Sequence, residues 1–159
     1  MKINRLMTRN VRTCRAEDTL ADAARVMWEA DLGALPVVDA EQRVLAVITD
    51  RDLAMACLFS GEPLASRKVS EAMSRKLVTV LEDDDVGTLE DVMRASQVHR
   101  VPVVNGVGQL RGIITLNDLA HHRPGRLAGE GVSPEEVAGT LAVIANPRPA
   151  QPPAQGASA

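Results

Sequence analysis

A chain of 159 residues that is 45% apolar and 25% charged is long enough to bury a real core and has the balance of an ordinary globular protein. Its formal charge of −3 leaves no cationic excess to hold a phosphate polymer by counterion release, and one Trp, one Phe and no Tyr leave little surface for stacking single-stranded bases, so nucleic acid is excluded as a main partner. No stretch approaches the roughly 18 consecutive apolar residues of a membrane span, and residues 1–13 lack an apolar leader core, so a cytoplasmic protein with no membrane partner is expected.

In chain order, residues 11–14 are short and β-prone, and Leu20, Ala23, Ala24 and Met27 then recur at helical spacing, which predicts a strand followed by a helix. Trp28 and Met27 on that helix are expected in the core, or at a dimer face if exposed. Residues 35–38 and 44–49, rich in Val and Ile and separated by Asp39-Ala40-Glu41-Gln42, predict a buried hairpin. Thr49 is placed to cap a second helix through Leu53-Ala54-Met55. Residues 60–68, with Gly61 and Pro63, read as a linker, after which Val69-Ser70-Glu71-Ala72-Met73 restarts the pattern of Ile3-Asn4-Arg5-Leu6-Met7. Residues 77–80 predict another strand, Leu89, Val92 and Met93 another helix, residues 101–104 and 110–115 another hairpin, and Thr115 another cap ahead of Leu119-Ala120. A tail begins near Arg123; within it Ser133-Pro134-Glu135-Glu136 is a helix start whose apolar face would be Val137, Leu141 and Ile144. Residues 147–159, rich in Pro, Ala and Gln, are expected to be disordered.

The two halves are copies. A shift of 66 superimposes Met7 on Met73, Thr13 on Thr79, Val26-Met27 on Val92-Met93, Pro36-Val37-Val38 on Pro102-Val103-Val104, Ile48-Thr49 on Ile114-Thr115 and Asp52-Leu53-Ala54 on Asp118-Leu119-Ala120, without a gap. A period this long is a duplicated domain half rather than a solenoid repeat. The fold class is therefore α+β (α/β): tandem β-α-β-β-α units in residues 1–62 and 63–123, related by a pseudo-twofold axis, with a C-terminal extension in residues 124–159 holding one helix. A unit of about 60 residues buries too little surface to stand comfortably alone, so the two are expected to pair.

The runs Gly33-Ala34-Leu35-Pro36-Val37-Val38-Asp39 with Val47-Ile48-Thr49-Asp50-Arg51-Asp52-Leu53, and His99-Arg100-Val101-Pro102-Val103-Val104 with Gly112-Ile113-Ile114-Thr115-Leu116-Asn117-Asp118-Leu119, resemble the CBS domain pair, or Bateman module. The resemblance covers residues 1 to about 122 and is strongest to stand-alone bacterial members such as hypoxic response proteins. It implies a regulatory module that binds an adenosine-containing ligand (AMP, ADP, ATP or S-adenosylmethionine) between the units, with no obligatory cofactor. It also implies a homodimer and an unknown regulated protein.

Carried over to this sequence, the resemblance makes Asp52 and Asp118 the ribose ligands, since a carboxylate can accept both hydrogen bonds of a cis-diol. Thr49 and Thr115, with the amides that follow them, would hold phosphate. Thr13, Leu35, Thr79 and Val101 would wall the base, and Arg51, His99 and Arg100 would approach phosphates. Thr-x-x-Asp is equally a capping box, and the three cations are equally solvated surface charges. The cations differ between copies, with Arg51 facing Asn117 and His99-Arg100 facing Gly33-Ala34, so the clefts are chemically unequal. His99, as a ligand, would respond to pH near neutrality. His121-His122 lacks metal-ligand spacing and reads as a last-turn cation pair, so no metal is expected. Cys14 and Cys57 read as reduced structural thiols.

With no paired nucleophile and base and no nucleotide-binding glycine pattern, the chain is expected not to be an enzyme. A ligand-free dimeric scaffold or stress-response interaction protein is the alternative to a sensor. A redox- or metal-responsive dimer using Cys14, Cys57 or the histidines is a third.

Overall fold

The computed structural model describes residues 1–121 and 133–145. The first unit holds α1 (Leu20–Glu29), β1 (Ala34–Val38), β2 (Val44–Thr49) and α2 (Asp50–Ser60). The second holds β3 (Val80–Leu81), α3 (Val86–Ser96), β4 (Arg100–Val104), β5 (Leu110–Thr115) and α4 (Leu116–His121), and α5 (Pro134–Ile144) follows. Short 3-10 turns lie at Ile3–Arg5, Leu64–Ser66 and Val69–Glu71. Both hairpins are antiparallel in the same register, Leu35 opposite Ile48 and Val101 opposite Ile114, and each is bulged at the same place, Val37/Val38 and Val103/Val104. The architecture is the mixed α+β duplication expected.

The leading strands are shorter than the sequence suggests. In the first unit residues 11–14 form no strand, and only Cys14 bridges to Val37, in parallel. In the second, residues 77–79 are likewise outside the strand, which is Val80–Leu81 paired parallel to β4. Proline explains both. The rung preceding the Cys14 bridge would need the N–H of residue 36, and that preceding the Val80 rung the N–H of residue 102; both are Pro, which has none to give.

The units exchange their leading segments. Ile3 lies fully buried in the second unit's core with Val80, Leu89, Met93, Val101 and Ile114, whereas Val69 lies fully buried in the first unit's core with Leu20, Leu35, Ile48 and Leu53. The backbone follows the same rule. The amide of Ile3 donates to the Asp84 carbonyl (3.0 Å) and that of Val69 to the Asp18 carbonyl (2.9 Å); the amide of Val86 donates to Met1 (3.0 Å) and that of Leu20 to Arg67 (2.9 Å). Each pair is related by the 66-residue shift. Full burial of such a side chain is worth about 1.5–3 kcal/mol, so each crossing segment ties one unit to the other. The close approach of the first segment to β5 depends on Gly112, where a Cβ would sit 2.7 Å from the Thr8 carbonyl oxygen and from Met7 Sδ.

The pseudo-twofold axis passes between Arg43 and Gln109, which bridge each other although they are repeat counterparts. Around it the Val44 amide donates to Gly108 (3.0 Å) and the Leu110 amide to Gln42 (2.9 Å), and Val38, Val44 and Val104 form a small shared cluster with Leu110.

Helix α5 starts as expected, with the Ser133 hydroxyl accepting from the Glu136 amide, Pro134 at the first position and the Glu136 carboxylate accepting from the Ser133 amide (2.7 Å). Its inward face differs from the expected one. Ile144 is buried in the second core and Val137 packs on that core, but the central position is Thr140, fully buried, while Leu141 is displaced to the edge and half exposed. Thr140 is tolerated because its hydroxyl donates to Glu90 Oε1 (3.3 Å) and accepts from Arg94 Nε (3.0 Å). The expectations for His122, for a tail beginning near Arg123 and for disorder in residues 147–159 lie outside the described residues. Among the described residues no helix is long and apolar enough to cross a membrane.

Candidate ligand-binding clefts

The two Thr-x-x-Asp segments fold identically. Thr49 donates its amide (2.8 Å) and hydroxyl (2.7 Å) to Asp52 Oδ2, and the Asp52 amide donates back to the Thr49 hydroxyl (3.2 Å). Thr115 and Asp118 repeat this at 2.7, 2.7 and 3.2 Å. Capping is therefore realised in both copies, and Thr19-Leu20-Ala21-Asp22 builds a further such box at the start of α1. Both Thr49→Asp52 bonds, like both Thr115→Asp118 bonds, end on Oδ2, so capping uses only one carboxylate oxygen of each half-buried Asp.

The other predicted residues divide between the units. A cavity of about 390 Å³ gathers His99, Arg100 and Thr115 with Leu116, Asn117 and Leu141. His99 and Arg100 are exposed at the mouth of β4 and Thr115 is half buried at the end of β5, opposite Arg100 in the hairpin register. Arg100 also reaches the other unit: a Cβ placed on Gly33 would be 3.2 Å from Arg100 Nη2 and 3.3 Å from Asp50 Oδ2. The glycine thus leaves room for a cation from β4 beside the start of α2. Arg51 is exposed, its amide donating to its neighbour Asp50 (2.7 Å), and it does not line the 390 Å³ cavity. Leu35 and Val101 are wholly inside the two hydrophobic cores, so their side chains face no cleft in this state. Thr13 and Thr79 are half buried just ahead of the Cys14 bridge and β3.

Leu141, Gly33 and Asp50 were not among the expected site residues, although Gly33 and Asp50 lie within the motif runs. Gly33 carried the only available signal, as the small residue standing where the second copy has His99. Two further expectations resolve differently from one another. Met27 is core, but Trp28 is 88% exposed. His121 ends α4 with its Nδ1 2.8 Å from the Asn117 carbonyl, the last-turn role expected. Among the described residues no group of three or more His, Cys, Asp or Glu is placed to hold a metal ion.

Known proteins share this fold. The family model for the CBS domain matches residues 3–58 and 69–125. Among curated proteins, the uncharacterized protein YlbB of Bacillus subtilis is 38% identical over 120 residues, covering 75% of this chain and 80% of that protein. Hypoxic response protein 1 of Mycobacterium tuberculosis is 34% identical over 113 residues, covering 70% of this chain and 78% of that protein. Among solved structures, a hypoxic response protein I with two coordinated zinc ions superimposes with a TM-score of 0.72 at 31% identity, over 78% of this chain and 100% of that one. The CBS domain pair of protein MJ0100, in complex with 5'-methylthioadenosine and S-adenosyl-L-methionine, gives 0.67 at 23% identity, over 76% and 93%. CBSX2 in complex with AMP gives 0.66 at 22%, over 75% and 92%.

Proposed function

Because this chain belongs to the CBS domain family, we propose that it is a regulatory, non-catalytic module of the cytoplasm that binds an adenosine-containing nucleotide between its two units. The observation that carries the reading is the 390 Å³ cleft of the second unit and α5, in which His99, Arg100 and Thr115 converge beside the Asp118 box and from which Arg100 reaches Gly33 of the first unit. The guanidinium of Arg100, an imidazole N–H of His99 and the Thr115 hydroxyl can all donate to phosphate oxygens, or to the carboxylate of S-adenosylmethionine, and the second Asp118 oxygen suits a ribose diol. The MJ0100 pair holds 5'-methylthioadenosine and S-adenosyl-L-methionine and CBSX2 holds AMP, which supports the same ligand class here. The first unit lacks the His-Arg pair, having Gly33-Ala34 in its place, so the second cleft is the stronger site.

Ligand occupancy would be felt in three places. Arg100 stands beside Gly33 of the first unit, Thr115 and Leu116 belong to the second, and Leu141 belongs to α5. A nucleotide drawing in Arg100 therefore favours one packing of the two halves over another, which is regulation by differential binding, read out by a partner protein or a second copy.

The second reading, a ligand-free dimeric scaffold, draws on the capping duty that already engages Asp52 and Asp118. Thermal melting separates the two. A specific ligand at about 100 times its Kd stabilises the fold by roughly 2.7 kcal/mol, so one of AMP, ADP, ATP or S-adenosylmethionine should raise the melting temperature clearly. No shift with any of the four leaves the scaffold standing.

A further inference from the structure

Helix α5 belongs to neither repeat, yet it supplies one wall of the second unit's cleft. It lies on α3 and α4, with Val137 packed on the core, Ile144 inside it, and Thr140 between them held by Glu90 and Arg94. At 3.6 residues per turn those three positions form one inward stripe, and Leu141 falls on its edge. There Leu141 is half exposed and lines the 390 Å³ cavity beside Leu116. Every other residue lining that cavity, His99, Arg100, Thr115 and Asn117, is polar, and Leu116 is itself buried in the core. Leu141 is therefore the apolar surface that a ligand entering the cleft can reach, whereas Leu35 and Val101 are closed off in the cores.

The first unit is not built to receive such a wall. Shifting back by 66 carries Glu90, Arg94 and Leu116 onto Ala24, Trp28 and Asp50, so a buried threonine hydroxyl would find no partner there and the apolar neighbour of Leu141 becomes a carboxylate. Those three residues line an open cavity of about 310 Å³, and Trp28 stands almost wholly in solvent at its side. The His99-Arg100 pair and α5 thus mark the same cleft independently. The polar grip also fixes how α5 sits. An apolar residue at position 140 would constrain the helix less, whereas a hydroxyl that must meet both Glu90 Oε1 (3.3 Å) and Arg94 Nε (3.0 Å) sets one rotation about the helix axis, and that rotation turns Leu141 to the cleft.

We propose that Leu141 is a ligand-contacting residue of the second cleft, packing on the face of the adenine while His99, Arg100 and Thr115 hold the ligand's anionic end, and that ligand binding and α5 docking strengthen each other through this contact. The proposal rests on the nucleotide reading above and adds to it the residue that meets the base. An adenine ring is a flat, largely apolar surface, and laying it on an aliphatic side chain removes both from water. The contact exists only while α5 is docked. Whatever free energy it gives the ligand it therefore gives equally to the docked helix, since coupling between two binding events is reciprocal. A helix outside the repeats thereby becomes the element on which occupancy of the cleft acts.

The test is titration calorimetry on the full chain with whichever of AMP, ADP, ATP and S-adenosylmethionine most raises the melting temperature, paired with hydrogen exchange of the α5 amides. Leu141→Ala should weaken binding at least about fivefold, the loss expected when a partly buried leucine side chain is removed from a contact. Thr140→Val, which keeps the shape and removes the hydroxyl grip, should weaken it too although Thr140 does not line the cavity, whereas Val143→Ala on the outward face of α5 leaves the affinity unchanged. Saturating ligand should slow exchange along α5 in the wild type and not in Leu141→Ala. Binding that Arg100→Ala weakens but Leu141→Ala and Thr140→Val leave as in the wild type would overturn this proposal while keeping the nucleotide reading, as would equal losses in Leu141→Ala and Val143→Ala, or α5 exchange indifferent to ligand. Absence of binding by all four ligands would remove the reading and this proposal together.

Discussion

Arg43 and Gln109 bridge each other across an antiparallel rung, although each occupies the same place in its own repeat. A residue paired with its own counterpart marks an internal twofold axis, and backbone bonds between the units come in matched pairs: Val44 to Gly108 and Leu110 to Gln42, Ile3 to Asp84 and Val69 to Asp18. The differences between the halves therefore stand out as departures from a symmetric background. They are the His99-Arg100 pair, the Trp28 face and the docking of α5.

The crossing of the leading segments makes Ile3 part of the second unit's core. Ile3→Ala should destabilise the whole chain by about 2–5 kcal/mol in urea unfolding, with a single transition. A loss below about 0.5 kcal/mol would mean that the crossing contributes nothing to stability.

The two thiols should behave oppositely. Burial, with Asp18 adding to it, pushes the Cys14 thiol up to about 12, whereas Cys57 is exposed on α2. Since the thiolate is the reactive form, a thiol reagent near neutral pH should label one site per folded chain and two after unfolding. Rapid labelling of Cys14 in the folded protein would contradict its burial.

Acid should act on α5 through two carboxyls of opposite sign. Burial pushes Glu90 above the ordinary glutamate range, although the Thr140 hydroxyl and Arg94 pull the other way, so the folded state binds its proton more readily than the unfolded chain. The stability from Glu90 is then full below the ordinary value and is lost as pH rises through the folded value. Glu136, held low by the Ser133 amide and then by its side chain, contributes above the ordinary value and loses that contribution as pH falls through its folded value. Melting measured from about pH 7 to about pH 4 should therefore show wild type gaining on Glu90→Gln as the pH is lowered. A gap that moves the other way would reverse the assigned sign.

Much of this was legible in the residues. The constant 66-residue offset is visible because duplication preserved Pro-Val-Val and Ile-Thr, and the helices α1 and α3 follow from apolar spacing. The capping boxes followed from Thr-x-x-Asp chemistry. What stayed hidden was pairing. The shortening of the leading strands depends on which rung meets Pro36 and Pro102, and the exchange of Ile3 and Val69 on which core each segment enters. The sequence likewise cannot place Arg100 beside Gly33, because that approach joins the units across space rather than along the chain. Leu35 and Val101, chosen from the motif as walls for a base, are taken by the cores instead.

Titration calorimetry on the full chain tests the central claim most directly, using whichever of AMP, ADP, ATP and S-adenosylmethionine most raises the melting temperature. The account predicts saturable binding that weakens about 10- to 100-fold in Arg100→Ala, the equivalent of one charge-assisted hydrogen bond. It also predicts weaker binding in Asp118→Asn, whose amide oxygen can still accept from Thr115 and keep the helix capped. No heat from any of the four ligands, or an affinity indifferent to both substitutions, would contradict a nucleotide held in the His99–Arg100 cleft.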